Sequence, residues 1–195
     1  MTSDESISTR RARLEPMLRF FGRLPILLVS LALTVCAANV YGQTVTTIQR
    51  VYIADASGTE ILNDPGIVHL VDSHGTDIVP PKITGQKSCD SPRISADKQT
   101  AGWQANLENC CTSYDIPLTL VLYRAGNIVQ TIAPGQMIYD WQFWTNDKVA
   151  ISSGPTHGDF GRHLGLYDVA TGKLLKEWMG EQGDTPPAWG RDLRQ

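Results

Sequence analysis

Leu120-Val-Leu122-Tyr123-Arg-Ala-Gly126-Asn-Ile-Val129 and Leu164-Gly-Leu166-Tyr167-Asp-Val-Ala-Thr-Gly172-Lys-Leu-Leu175 are two copies of one pattern. Each opens with Leu-x-Leu-Tyr, whose alternate apolar positions suit a strand with one face turned to a core. Each then passes a glycine and returns to an apolar run, which reads as a β-hairpin. Leu122 and Leu166 stand 44 residues apart. A second hairpin precedes each copy: Ser91-Pro-Arg-Ile-Ser-Ala-Asp97-Lys-Gln-Thr-Ala-Gly-Trp103 before the first, and Trp141-Gln-Phe-Trp144-Thr-Asn-Asp147-Lys-Val-Ala-Ile151 before the second. Both place Asp-Lys at the turn after a hydroxyl residue. The repeating unit is therefore strand, Asp-Lys turn, strand, gap, strand, glycine turn, strand.

The rest of the chain has the same texture. Gly, Pro, Asn and Asp punctuate short runs rich in Val, Ile, Leu, Thr and aromatics, and no long window keeps helical periodicity. The pattern predicts strands over 45–54, 67–72, 92–95, 99–105, 118–124, 127–132, 139–144, 147–153, 163–168 and 173–178. Turns are predicted at Asp55-Ala-Ser-Gly58, Asp72-Ser-His-Gly75, Ala125-Gly126-Asn127 and Ala170-Thr-Gly172-Lys173. The fold class expected is all-β and antiparallel, with a single β domain over 43–180 and a polar C-terminal tail over 181–195.

Ser95-Ala-Asp97-Lys-Gln-Thr-Ala-Gly-Trp103 and Leu164-Gly-Leu166-Tyr167-Asp168-Val-Ala-Thr-Gly172 resemble the blade repeats of WD40-like and TolB-like β-propellers. The resemblance covers about residues 91–178, and the repeat length falls within the roughly 40–45 residues of a blade. It implies four-stranded antiparallel sheets. Two blades, with a degenerate third over 51–78, are too few for a closed propeller of about four to eight. A small sandwich or partial propeller is the expectation. Cys110-Cys-Thr-Ser-Tyr-Asp-Ile-Pro-Leu118 also resembles a stretch of exported bacterial proteins, a likeness that brings no activity with it.

The N-terminus points to the compartment. Uncharged Pro25 to Val40 follows Arg10, Arg11, Arg13, Arg19 and Arg23, and Val40-Tyr-Gly42 supplies small residues for cleavage. That is the layout of a secretory signal peptide over 1–42, too short in its apolar part for a spanning helix of about 20 residues. Met17 begins a more compact leader and is an alternative start. Cleavage after Gly42 leaves 153 residues with a net charge of −5 and no basic run. Nucleic acid and anionic membranes are poor partners for such a surface.

Three constellations could carry chemistry. Export places Cys89, Cys110 and Cys111 in an oxidising compartment, where Cys89 would pair with Cys110 or Cys111. A vicinal Cys110–Cys111 ring is the alternative, and the absence of Cys-x-x-Cys spacing speaks against zinc. The loop Gly154-Pro-Thr-His157-Gly-Asp159-Phe-Gly-Arg162-His163 gathers His157, Asp159, Arg162 and His163, which could bind a ligand or, as an alternative, form a metal-dependent or hydrolase-type centre. Trp141 and Trp144 lie on opposite faces of an aromatic strand and could stack on sugars or peptide, although such rings more often fill a core. No nucleophile elbow, His-Glu-x-x-His or phosphate loop is present. The function expected is a secreted, non-enzymatic domain binding a protein, peptide or glycan, without a cofactor. The alternatives are the enzyme just described and a structural subunit that self-associates.

Overall fold

The computed structural model describes residues 46–62, 64–108, 113–157, 161–181 and 183–194, excepting the Arg162 side chain. The expected leader lies outside the described residues. The described chain is all-β, in three antiparallel sheets, none closed into a barrel. The first sheet joins β1 (Ile48–Ala54), β2 (Ile67–Asp72) and β3 (Asp77–Ile78) in chain order. The second is a meander of β4 (Gln86–Ile94), β5 (Thr100–Leu107), β6 (Ile116–Arg124) and β7 (Asn127–Ile132). The third repeats that meander with β8 (Met137–Thr145), β9 (Lys148–Gly154), β10 (Arg162–Asp168) and β11 (Leu174–Gly180).

The repeat read in the sequence is thus a repeat of topology. Its turns are built alike. Ser95 Oγ donates to Asp97 Oδ1 at 2.6 Å in the β4–β5 turn, and Thr145 Oγ1 donates to Asp147 Oδ1 at 2.5 Å in the β8–β9 turn. The two turns also touch, because the Asp97 N–H donates to Asn146 Oδ1 at 3.2 Å. A short hydroxyl–carboxylate pair closes a tight turn without consuming ladder hydrogen bonds.

The sheets stack face on face in chain order. Ile53, Val68 and Leu70 of the first sheet pack against Trp103, Val121 and Tyr123 of the second. The opposite face of the second sheet, through Leu120 and Leu122, meets Trp141, Val149 and Ile151 of the third. The outer face of the third, through Leu164 and Leu166, is covered by Trp189 and Leu193. Leu120/Leu122 and Leu164/Leu166 therefore play the same part, each pair sealing its sheet against the next layer. The middle sheet is buried on both sides, so Leu120-Val-Leu-Tyr123 is apolar without alternation.

Two expectations need correction. The strand expected over 92–95 begins at Gln86, six residues earlier, because Gln86-Lys-Ser-Cys-Asp-Ser reads as a polar loop until β5 is beside it. The tail after Gly180 is also part of the domain: Ala188–Gly190 forms a 3₁₀ turn that brings Trp189 onto Leu164 and Leu166. The two-residue β3 was not foreseen. No helix among the described residues is long and apolar enough to cross a membrane.

Candidate functional site

A cleft of about 700 Å³ opens where the leading strands of the three sheets, β1, β4 and β8, converge. Ile53, Ile61, Pro65, Pro92, Ile138 and Tyr139 make apolar walls, and Asp90, Ser91 and Gln104 are on its polar side. The bend in β4 shapes it. The pairing of β4 with β5 slips between Asp90 and Arg93, and Ser91 takes φ +50°. A non-glycine residue in that region costs about 1–3 kcal/mol and persists only where its surroundings hold it. Here Trp141 Nε1 donates to the Ser91 carbonyl at 2.9 Å, and Pro92, which has no N–H, breaks the ladder. A bulge of this kind re-aims the side chains beside it.

Asp90 and Gln104 are direct cross-strand partners, so both project to the same face, that of Leu120 and the third sheet. Asn106 Nδ2 donates to Asp90 Oδ2 and to Ser88 Oγ, each at 3.1 Å. Asp90 Oδ1, Gln104 Nε2 and Asn106 Oδ1 are buried with no hydrogen-bond partner among the described residues. Gln104 is only 3% exposed and Asn106 2%. An unpaired buried polar atom costs about 1–3 kcal/mol, so three in one place are an expense that stability alone does not explain.

The charges around the cleft are one-sided. Glu60, Asp64 and Asp90 line it, and no Lys, Arg or His does so among the described residues. Arg50 pairs with the lining Glu60, and Arg93 pairs with Asp140 at 2.7 Å, which leaves Asp64 and Asp90 without an ion-pair partner among the described residues. Burial pushes the Asp90 carboxyl above its ordinary value, against the hydrogen bonds from Asn106 and Ser91. Asp90 favours the folded state fully below the unfolded-state value, and that contribution is lost as pH rises through its raised folded value. At neutral pH this carboxylate is a burden on folding.

Cys89 is a free, buried thiol in the core between the first and second sheets, opposite Ala105. Gln86 Nε2 lies 2.8 Å from its sulfur, and burial pushes its pKa to about 11. No disulfide occurs among the described residues. Cys110 and Cys111 lie outside them. The strand expected over 92–95 leaves Cys89 just before it, and the earlier start of β4 puts Cys89 inside the strand.

His157 is exposed, whereas Asp159 and the Arg162 side chain lie outside the described residues. His163 sits in β10, with Ser153 Oγ 3.2 Å from Nδ1 and Glu177 Oε1 2.7 Å from Nε2. Ser153 is its cross-strand partner and only 2% exposed, while Glu177 reaches it diagonally from opposite Gly165, so the three side chains form a polar row across β9, β10 and β11. No cluster of three or more His, Cys, Asp or Glu able to hold a metal occurs among the described residues.

Trp141 is fully buried and leaves no ring face for a ligand, so of the two readings of this ring it fills the core. Trp144 is 45% exposed beside Arg93, Phe143 and Asn146, away from the cleft. Asp90, Gln104 and Asn106 were missed. The available signal was a pair of amides set among Ala, Gly and Trp in the run Thr100–Leu107, where a strand buried on both faces has little use for them.

No protein-family model matches this chain, and none of the curated proteins is similar to it in sequence.

Proposed function

We propose that this chain is an exported, non-enzymatic binding module, assembled from sheets akin to WD40-like and TolB-like blades, which holds a protein, peptide or glycan ligand in the cleft between β1, β4 and β8. One observation carries the reading: Asp90 Oδ1 and Gln104 Nε2, buried and unpaired, belong to residues that line this cleft, with the unpaired Asn106 Oδ1 beside them on the same strand as Gln104. Sites built for binding tolerate such costs because a ligand removes them. Export rests on the arginine-flanked apolar segment Pro25–Val40. The chain isolated from its native host is expected to begin between Asn39 and Thr44 when sequenced from the amino terminus. An intact Met1 or Met17 form as the main species would remove the export half of the proposal.

The binding half is tested with Gln104→Leu. Leucine fills a similar volume and abolishes an unpaired donor, so stability should be kept or raised by up to about 1 kcal/mol. The same change should abolish capture of the ligands that the parent retains on a peptide and glycan array. Equal retention by both proteins would place the ligand elsewhere.

The Ser153–His163–Glu177 row favours a second, hydrolytic reading, since hydroxyl, imidazole and carboxylate are in line. Its serine is locked in the ladder opposite the histidine, however, which suits a brace better than a nucleophile.

A further inference from the structure

The atoms left unpaired at Asp90, Gln104 and Asn106 describe what they would accept. Two are oxygen acceptors, Asp90 Oδ1 and Asn106 Oδ1, and one is a nitrogen donor, Gln104 Nε2. Asp90 and Gln104 face each other across the ladder, which sets their Cβ atoms only about 4.5–5.5 Å apart. The complement is a small group with several N–H donors and an acceptor close by, and with a positive charge for a carboxylate that has no ion-pair partner among the described residues.

Resting on the reading of the cleft as a ligand site, we infer that it captures the free α-amino terminus of a short peptide. The α-ammonium donates to Asp90 Oδ1, and its own carbonyl, one carbon away, accepts from Gln104 Nε2, the two of these residues that line the cleft. Other chemistries match less well. A lysine ammonium has donors only and leaves Gln104 unpaired. A carboxylate or phosphate meets Asp64 and Asp90 with like charge. Glycan hydroxyls are neutral and leave the Asp90 charge uncompensated. Ile53, Ile61, Pro92 and Ile138 then receive an apolar first side chain, and about 700 Å³ is within the roughly 300–1,000 Å³ of small-ligand sites.

Isothermal titration calorimetry with three probes tests this: leucyl-glycyl-glycinamide, its Nα-acetyl form, and Nα-acetyl-glycyl-lysyl-glycinamide. The free-amino probe should bind, and acetylation should weaken it at least about tenfold. Asp90→Asn should weaken it similarly, while its melting temperature at neutral pH stays at or above that of the parent. The acetylation comparison uses the parent protein alone, so it decides the matter even if the variant fails to fold. Equal binding of the acetylated or lysyl probe, or no binding of the free-amino probe at about millimolar concentration, would overturn the inference. Array ligands that need Gln104 but no free amino terminus would leave the cleft a binding site and remove only the ammonium assignment.

Discussion

Trp141→Ala should lower the unfolding free energy by about 3–5 kcal/mol, read from the midpoint of a urea transition. The indole is fully buried between the second and third sheets. It lies against Gly102, where a Cβ would come within 2.7 Å of the ring, so the glycine is the socket for this side chain. Phe143 meets it edge-on at 5.2 Å, and the Arg93 guanidinium stands 5.6 Å from the ring centre. Truncation would leave a cavity and also strip the Ser91 carbonyl of its indole donor. Because that bond steadies the bend beside Asp90, the variant should lose ligand as well as stability. A loss below about 1 kcal/mol would mean that the two sheets are not packed through this residue.

Leu122→Ala comes next, at about 2–5 kcal/mol by the same measurement. Leu122 has no exposed surface and sits on the face that meets the third sheet. Its Cδ2 would be 2.9 Å from a Cβ at Gly102, which places it in the same tight packing as Trp141. The repeat supplies a control. Leu175, in the second copy, lies on the outermost strand β11 and is 43% exposed, so Leu175→Ala should cost no more than about 0.5 kcal/mol. Similar losses at both positions would mean that the register of the repeat is wrong.

Much of the fold was legible because hairpins announce themselves locally. Leu-x-Leu-Tyr strands, Asp-Lys turns and glycine turns are short-range signals, and the 44-residue spacing of Leu122 and Leu166 aligns the two meanders. What escaped depends on neighbours far along the chain. Gln86 to Ser91 are polar and precede a proline, and only pairing with β5 makes them a strand. Trp189 and Leu193 stand in a polar segment and gain a role only from the uncovered face of Leu164 and Leu166.

The site was hidden for the same reason. Asp90, Gln104 and Asn106 belong to two strands, and no spacing reveals that a carboxylate faces an amide or that neither is fully paired. The eye is drawn instead to the histidine- and glycine-rich loop and to the aromatic strand. Of those, the structure puts Trp141 in the core and His163 in a polar row with Ser153 and Glu177.

The cleft as ligand site is tested most directly by nuclear magnetic resonance on isotope-labelled protein, following the side-chain amide signals of Gln104 during titration with the tightest-binding array ligand. The expected result is a saturable shift of both Gln104 amide protons, with backbone changes at Asp90, Ser91 and Tyr139. Unmoved Gln104 signals, with shifts confined to β11 or to Ser153 and His163, would contradict it.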